Sequence, residues 1–199
     1  MTKRLGDVLV STVALVVLAP LLAIIGVSVA IESGRPVFFR QTRIGLGGKP
    51  FELVKFRTMS SRPADDGGPQ ITVAGDTRVT RVGRWLRSTK LDELPQLWNV
   101  IRGDMSLVGP RPEVPKYVDL WPPVDRDVIL SVRPGITDPA SRKYRREAEL
   151  LAGQPDPDAY YREVVLPDKV RLYTEYVEQQ SAKGDLRLLL STIHAVFTS

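Results

Sequence analysis

The stretch VLVSTVALVVLAPLLAIIGVSVAI, residues 8–31, runs 24 residues without a charged side chain between Asp7 and Glu32. That is long enough to cross the hydrocarbon of a bilayer as a helix. Pro20 falls near its middle and removes one backbone hydrogen bond, so a membrane kink is expected at Ala19-Pro20. Lys3 and Arg4 precede the segment, and Arg35, Arg40 and Arg43 follow it, so positive charge marks both flanks. Positive flanks stay on the cytoplasmic side. A re-entrant helix that enters and leaves by one face meets that requirement, whereas a straight span must translocate a basic flank or the domain behind it. Ser28-Val29-Ala30 has the look of a signal-peptidase site, but the apolar run is too long for a signal segment. Residues 1–34 are therefore expected to form a membrane helix, and residues 35–199 a catalytic domain at the cytoplasmic face.

Composition narrows the chemistry of that domain. A chain of 199 residues without cysteine has no disulfides, thiolate metal sites or cysteine nucleophiles. Its one histidine, His194, lies in an apolar C-terminal stretch, which leaves little material for a zinc site or a histidine triad. Any metal must be held by oxygen. A net charge of +5 points to an anionic partner: nucleic acid, anionic lipid or a phosphorylated substrate.

The fold expected is α+β and mostly helical, with one short β-hairpin. Pro36–Phe39 and Phe51–Phe56 cluster apolar residues around the turn Gly45-Leu46-Gly47-Gly48. Lys49 follows these glycines, but Pro50 comes next and the spacing of a nucleotide-binding phosphate loop is missing. Residues 60–77 shift to Pro, Gly, Asp and Ser, the composition of a surface loop. Helical patterning covers Val79–Leu86, Leu94–Ile101, Lys169–Val177 and Leu186–Phe197, while five prolines between Pro110 and Pro123 impose an irregular stretch. The last segment gathers Leu186, Leu189, Leu190, Ile193, Val196 and Phe197 on one side, as either an interfacial amphipathic helix or a core-facing one.

The candidate chemistry lies in Arg87-Ser88-Thr89-Lys90-Leu91-Asp92-Glu93-Leu94-Pro95-Gln96. Proline is tolerated only in a helix's first turn, so Pro95 places Asp92 and Glu93 at a helix N-terminus. Free N–H groups there keep a carboxylate ionised and attract phosphate. A capping box built from Thr89 and Asp92 fits the same residues. Arg87, Lys90, Arg102, Arg111 and Arg133 supply the cations that a diphosphate needs. Adjacent carboxylates among arginines suit Mg²⁺-assisted phosphoryl chemistry, in which an Asp can itself attack phosphorus.

The chain resembles the monotopic phosphoglycosyl transferases, the small polyprenyl-phosphate phosphosugar transferases of bacterial glycan assembly. The matching stretches are the segment broken at Pro20, Arg43-Ile44-Gly45, Lys55-Phe56-Arg57-Thr58-Met59, Arg78 to Arg84, Leu91 to Val100, Gly103 to Pro112, and Arg133 to Thr137. The resemblance implies that Asp92 attacks the sugar-bearing phosphate of a UDP-sugar, UMP leaves, and polyprenyl (undecaprenyl) phosphate takes the phosphosugar from the aspartate. It also implies Glu93 as the second acid, Mg²⁺ shared by Asp92 and Glu93, and Arg87, Arg111 and Arg133 at phosphate or nucleotide. The implied partners are the two substrates and a phospholipid membrane, with no nucleic acid, at the bacterial inner membrane. Two places differ from the family pattern: Ala19 stands where a Ser often precedes the Pro, and after Thr137, where many larger relatives continue Gly-Trp-Ala-Gln, the chain reads Asp138-Pro139-Ala140-Ser141, nearer the short single-domain members. A membrane-tethered basic binding or scaffold protein without catalysis is the alternative.

Overall fold

The computed structural model describes residues 2–60, 73–141 and 143–197, with side chains described through Thr192. Most of the expected 60–77 loop and the His194 side chain fall outside that set. The apolar segment forms helix α1, Thr2–Ser33, continuous through Pro20. A tight hairpin follows, β1 (Phe38–Ile44) antiparallel to β2 (Pro50–Phe56), with Phe38 opposite Phe56 and Ile44 opposite Pro50. Its turn uses the glycines as read: Gly47 and Gly48 have φ of 66° and 74°, where a side chain would be strained. Helix α2 (Arg81–Ser88) leads through a 3₁₀ turn, Leu91–Glu93, into α3 (Gln96–Arg102).

The proline-rich stretch is more regular than expected: it holds α4 (Pro115–Val118) and leads into α5 (Pro123–Ile129). Two short strands flank it, β3 (Ser106–Val108) before and β4 (Gly135–Thr137) after, and they pair parallel. Short helices α6 (Glu147–Ala152) and α7 (Pro157–Tyr160) follow, and α7 runs through a π turn into α8 (Leu166–Glu178). The chain then forms α9, Ala182–Phe197. The stripe foreseen on α9 divides: Leu189 packs inward beside Leu188, whereas Leu186 and Leu190 stand exposed.

Both ends of α1 are fastened to the same globular body. At the N-terminal end, Lys3 donates to the Val108 carbonyl and to Asp185, Arg4 to the Val100 and Ile101 carbonyls, and Asp7 accepts from the Ser106 hydroxyl at 2.7 Å. At the other end, the Glu32 carboxylate accepts from the backbone N–H of Arg81 and Val82, at 2.8 and 2.9 Å, so it caps α2 from outside together with Thr80. Arg57 donates to the carbonyls of Ser33 and Gly34. Ile25 and Val29 are buried against Phe56 and Leu86. The outward side of the helix stays apolar and exposed, from Leu9 through Val16 and Val17 to Val27 and Ile31.

Three contacts fix α2 and α3 against the hairpin, and hence the acids between them. Asn99, fully buried, donates to the Glu52 carbonyl and accepts from the Val54 N–H, filling hydrogen bonds that the edge of β2 would otherwise lack. Gly83 lies so close to Thr58 that a Cβ would sit 2.1 Å from its carbonyl oxygen; only glycine permits that approach. Arg87, one turn further along α2, then reaches the Thr58 hydroxyl at 3.0 Å.

Candidate active site

Lys90 ends α2 in the left-handed conformation, φ 59°, and turns the chain so that Asp92 points inward instead of continuing the helix surface. The capping-box reading does not hold. Thr89 donates its hydroxyl back to the Trp85 and Leu86 carbonyls of α2, and Pro95 occupies the N-cap of α3. Asp92 is buried, and its Oδ1 has no hydrogen-bond partner among the described residues. An ionised oxygen held in that way is costly unless it serves a ligand or a reaction.

Charge around it explains its state. Burial and the adjacent Glu93 push the Asp92 carboxyl up to about 6, against the pull of Lys55, Lys90 and Arg87. Glu93 goes the other way: burial raises it, but Arg111 outweighs burial and holds it well below the usual range. Arg111 meets Glu93 with two nitrogens on two oxygens, Nη1 on Oε2 at 3.3 Å and Nη2 on Oε1. The pair thus divides into a Glu93 that Arg111 holds ionised and an Asp92 whose carboxyl burial and Glu93 push upward. Lys55, carried on β2, is pushed down to about 8, chiefly by burial.

Asp92, Glu93, Arg87 and Arg111 line one cavity of about 3280 Å³, well above the size of a single-ligand pocket. Its lining includes the apolar Val10, Ala14, Leu18 and Leu21 of α1 and the basic Lys55, Arg87, Lys90 and Arg111. Arg133 is not on this wall; its Nε donates to the Gly103 carbonyl at 2.8 Å and ties β4 to the end of α3. Three lining residues lay unrecognised in the sequence as site candidates. Lys55 sat within a quoted stretch without a role, Asp138 was noted only as a departure from pattern, and Tyr173 is an unremarkable member of an amphipathic helix.

The described residues contain no cluster of three or more acidic or histidine side chains able to cage a metal. A hard divalent ion needs less, because Mg²⁺ commonly sits on one or two carboxylates and completes its shell with substrate phosphates and water. The unpartnered Asp92 oxygen fits that mode, while both Glu93 oxygens already accept from Arg111.

A buried acid pair among cations, opening on a cavity lined by apolar and basic side chains, is the arrangement of an enzyme site. The profile of the bacterial sugar transferase family matches residues 1–199, and the chain belongs to that family. It is 38% identical to a UDP-glucose:undecaprenyl-phosphate glucose-1-phosphate transferase of Caulobacter vibrioides, over 99% of this chain and 70% of that protein. An Escherichia coli protein of the same description is 35% identical over 99% of this chain and 40% of its own length. A UDP-N-acetylgalactosamine-undecaprenyl-phosphate N-acetylgalactosaminephosphotransferase of Aeromonas hydrophila is 39% identical over 80% of this chain. The chain spans less than half the length of the last two relatives, 40% and 38%.

Proposed function

We propose that this protein transfers a phosphosugar from a UDP-sugar to undecaprenyl phosphate by way of an aspartyl intermediate. The observation that carries the reading is Asp92: buried, with an unpartnered oxygen, beside a Glu93 neutralised by Arg111. In the first step an Asp92 oxygen forms a bond to the sugar-bearing phosphorus. The bond from that phosphorus to the bridging oxygen breaks, and UMP leaves with the electron pair. In the second step an oxygen of the lipid phosphate attacks the same phosphorus, the acyl-phosphate bond breaks, and Asp92 regains its charge. Each displacement crowds negative charge into the site, which Lys55, Arg87, Lys90 and Arg111 offset. Mg²⁺ held by the Asp92 carboxylate together with the donor phosphates would neutralise further charge on the diphosphate, with Glu93 engaged by Arg111 beside it. Because Asp92 is ionised at neutral pH but not deeply stabilised, it can attack without first losing a proton.

Helix α1 supports the lipid substrate and the location. Its two ends bind one body through Asp7 and Glu32, which supports a re-entrant segment with both ends at the cytoplasmic face of the inner membrane. The apolar residues that α1 contributes to the cavity would suit a polyprenyl chain, and the basic residues its phosphate. Incubation of the detergent-solubilised protein with UDP-sugars, undecaprenyl phosphate and Mg²⁺ tests the reading through UMP release. A protein that binds both substrates and releases no UMP would be the non-catalytic alternative.

A further inference from the structure

Apart from the cavity of the acid pair, an apolar groove of about 440 Å³ opens between α1 and α2. That volume is within the roughly 300–1,000 Å³ of a single-ligand site. It is lined by Leu21, Ile24 and Ser28 of α1 and by Arg81, Val82 and Trp85 of α2. Of its lining residues only Leu21 also lines the larger cavity, so the groove is a separate surface. Its shape is set by packing, because Ile25 and Val29 of α1 are buried in one cluster with Leu86 of α2. Ile24 and Trp85 are 65% and 51% exposed, so a ligand can reach both. Ser28 donates its hydroxyl to the Ile24 carbonyl at 2.9 Å, which leaves the Arg81 guanidinium as the polar side chain able to bond a ligand there. Arg81 is exposed and its side chain makes no ion pair or hydrogen bond among the described residues. Glu32, the acid beside it, spends both carboxylate oxygens on the Arg81 and Val82 N–H groups, and Arg84, exposed one turn along α2, adds a second cation.

An apolar groove with a cation at its lining suits an amphiphile with an anionic head, and α1 says where that amphiphile comes from. Ile24 belongs both to the groove and to the exposed apolar face of α1, which runs on to Val27 and Ile31. Glu32 ends the uncharged segment, and its bond to the Arg81 N–H places Arg81 where hydrocarbon gives way to headgroups. We propose that this groove binds an anionic phospholipid of the surrounding bilayer, an acyl chain lying against Ile24 and Trp85 and the headgroup phosphate accepting from Arg81. A guanidinium takes phosphate with a fork of donors, and Trp is favoured at the same depth. The inference rests on the reading of α1 as a membrane segment and is independent of the chemistry at Asp92. A lipid held there bridges α1 to the helix that carries Arg87 to the active site.

The test reconstitutes the full-length protein into phosphatidylcholine vesicles with rising fractions of phosphatidylglycerol brominated on its acyl chains, a contact quencher of tryptophan. The quenching that Trp85→Phe removes is the signal of the groove, and Trp98, also exposed, supplies the background. That signal should saturate at a lower fraction of brominated phosphatidylglycerol than of brominated phosphatidylcholine. In Arg81→Gln the preference should fall about fivefold, the effect of one cation at an anionic headgroup. Both side chains are exposed, so the two variants should melt as the unmodified protein does. Equal quenching by the two lipids, no loss of quenching in Trp85→Phe, or an undiminished preference in Arg81→Gln overturns the proposal. So does stronger displacement of the brominated lipid by undecaprenyl phosphate than by plain phosphatidylglycerol, which would give the groove to the acceptor. Protein that floats with vesicles of neither composition would remove the membrane reading itself, and the site with it.

Discussion

Arg111 meets Glu93 across eighteen residues of sequence with two nitrogens on two carboxylate oxygens, directly beside Asp92, whose Oδ1 has no hydrogen-bond partner among the described residues. A pair of that geometry fixes both orientation and charge. Arg111→Met would leave Glu93 ionised and unmatched. The loss should be about 1–2 kcal/mol of stability, below the 3–5 kcal/mol of a wholly buried pair because the arginine side chain is 37% exposed. Adding Glu93→Gln should return most of that stability without returning turnover. Thermal melts and UMP release on the two variants measure this, and recovery of both together would make the pair purely structural.

Asp92 and Lys55 titrate on either side of neutrality, which predicts a bell-shaped kcat/KM profile. Asp92 must be ionised to attack, so activity should fall as pH drops through about 6. Lys55 must be charged to face phosphate, so activity should fall again as pH rises through about 8. Lys55→Arg keeps its charge far above that range and should remove the alkaline limb, leaving the acid limb in place. An alkaline limb unchanged in Lys55→Arg would assign it to another group.

The topology prediction rests on Asp7 and Glu32, which bind the same body from opposite ends of α1. Reporter tags fused before Lys3 and after Ser199 should both read cytoplasmic. A periplasmic N-terminal tag on the unmodified protein would make α1 an ordinary span. Asp7→Ala should loosen the N-terminal half, leaving the Ser106 hydroxyl unpaired at an estimated 1–3 kcal/mol.

Which of these features could be read from the chain alone depended on how local their cause is. Helix α1 follows from 24 uncharged residues, and the placement of the acid pair from Pro95, because both are constraints of immediate neighbours. The hairpin was readable for the same reason. The β3–β4 pair was not: two three-residue strands, Ser106–Val108 and Gly135–Thr137, are too short to show a period and are separated by prolines that read as loop. Gly135 and Gly109 carry a local trace, since a Cβ on Gly135 would sit 2.1 Å from the Gly109 nitrogen and one on Gly109 2.5 Å from the Arg133 carbonyl oxygen, but that demand is visible only once the strands are paired. Arg133 was grouped with the site arginines by charge, yet geometry turns it to Gly103. Asp138 and Tyr173, on β4's exit loop and α8, share a wall only through the tertiary fold.

Metal dependence is the next expectation. With no acidic cage among the described residues, a divalent ion would have to be recruited with the donor diphosphate. EDTA should therefore abolish turnover, Mg²⁺ should restore it, and the melting temperature of the unliganded protein should hardly respond to Mg²⁺. Full turnover in EDTA would exclude the ion from the reaction. A large Mg²⁺-induced stabilisation without substrate would instead reveal a preformed site.

The most direct prediction concerns Asp92. Asp92→Asn keeps the shape of the side chain and removes the attacking charge, so turnover should fall by roughly a thousandfold or more, about 4 kcal/mol in barrier height. Stability should move oppositely. Because the folded-state carboxyl is raised to about 6, ionisation above that pH opposes folding, and a neutral amide at the same place relieves it. Asp92→Asn should then melt at the same or a higher temperature at pH 8, with the advantage shrinking as pH falls below 6 and the native carboxyl protonates. A residue kept for structure would show stability and activity falling together. With UDP-sugar and no undecaprenyl phosphate, intact mass spectrometry of the unmodified protein should show one phosphosugar adduct that maps to Asp92. The Asn variant should show none. An adduct on Glu93 would transfer the nucleophilic role to the residue that Arg111 now holds, and near-normal turnover in Asp92→Asn would end the covalent reading.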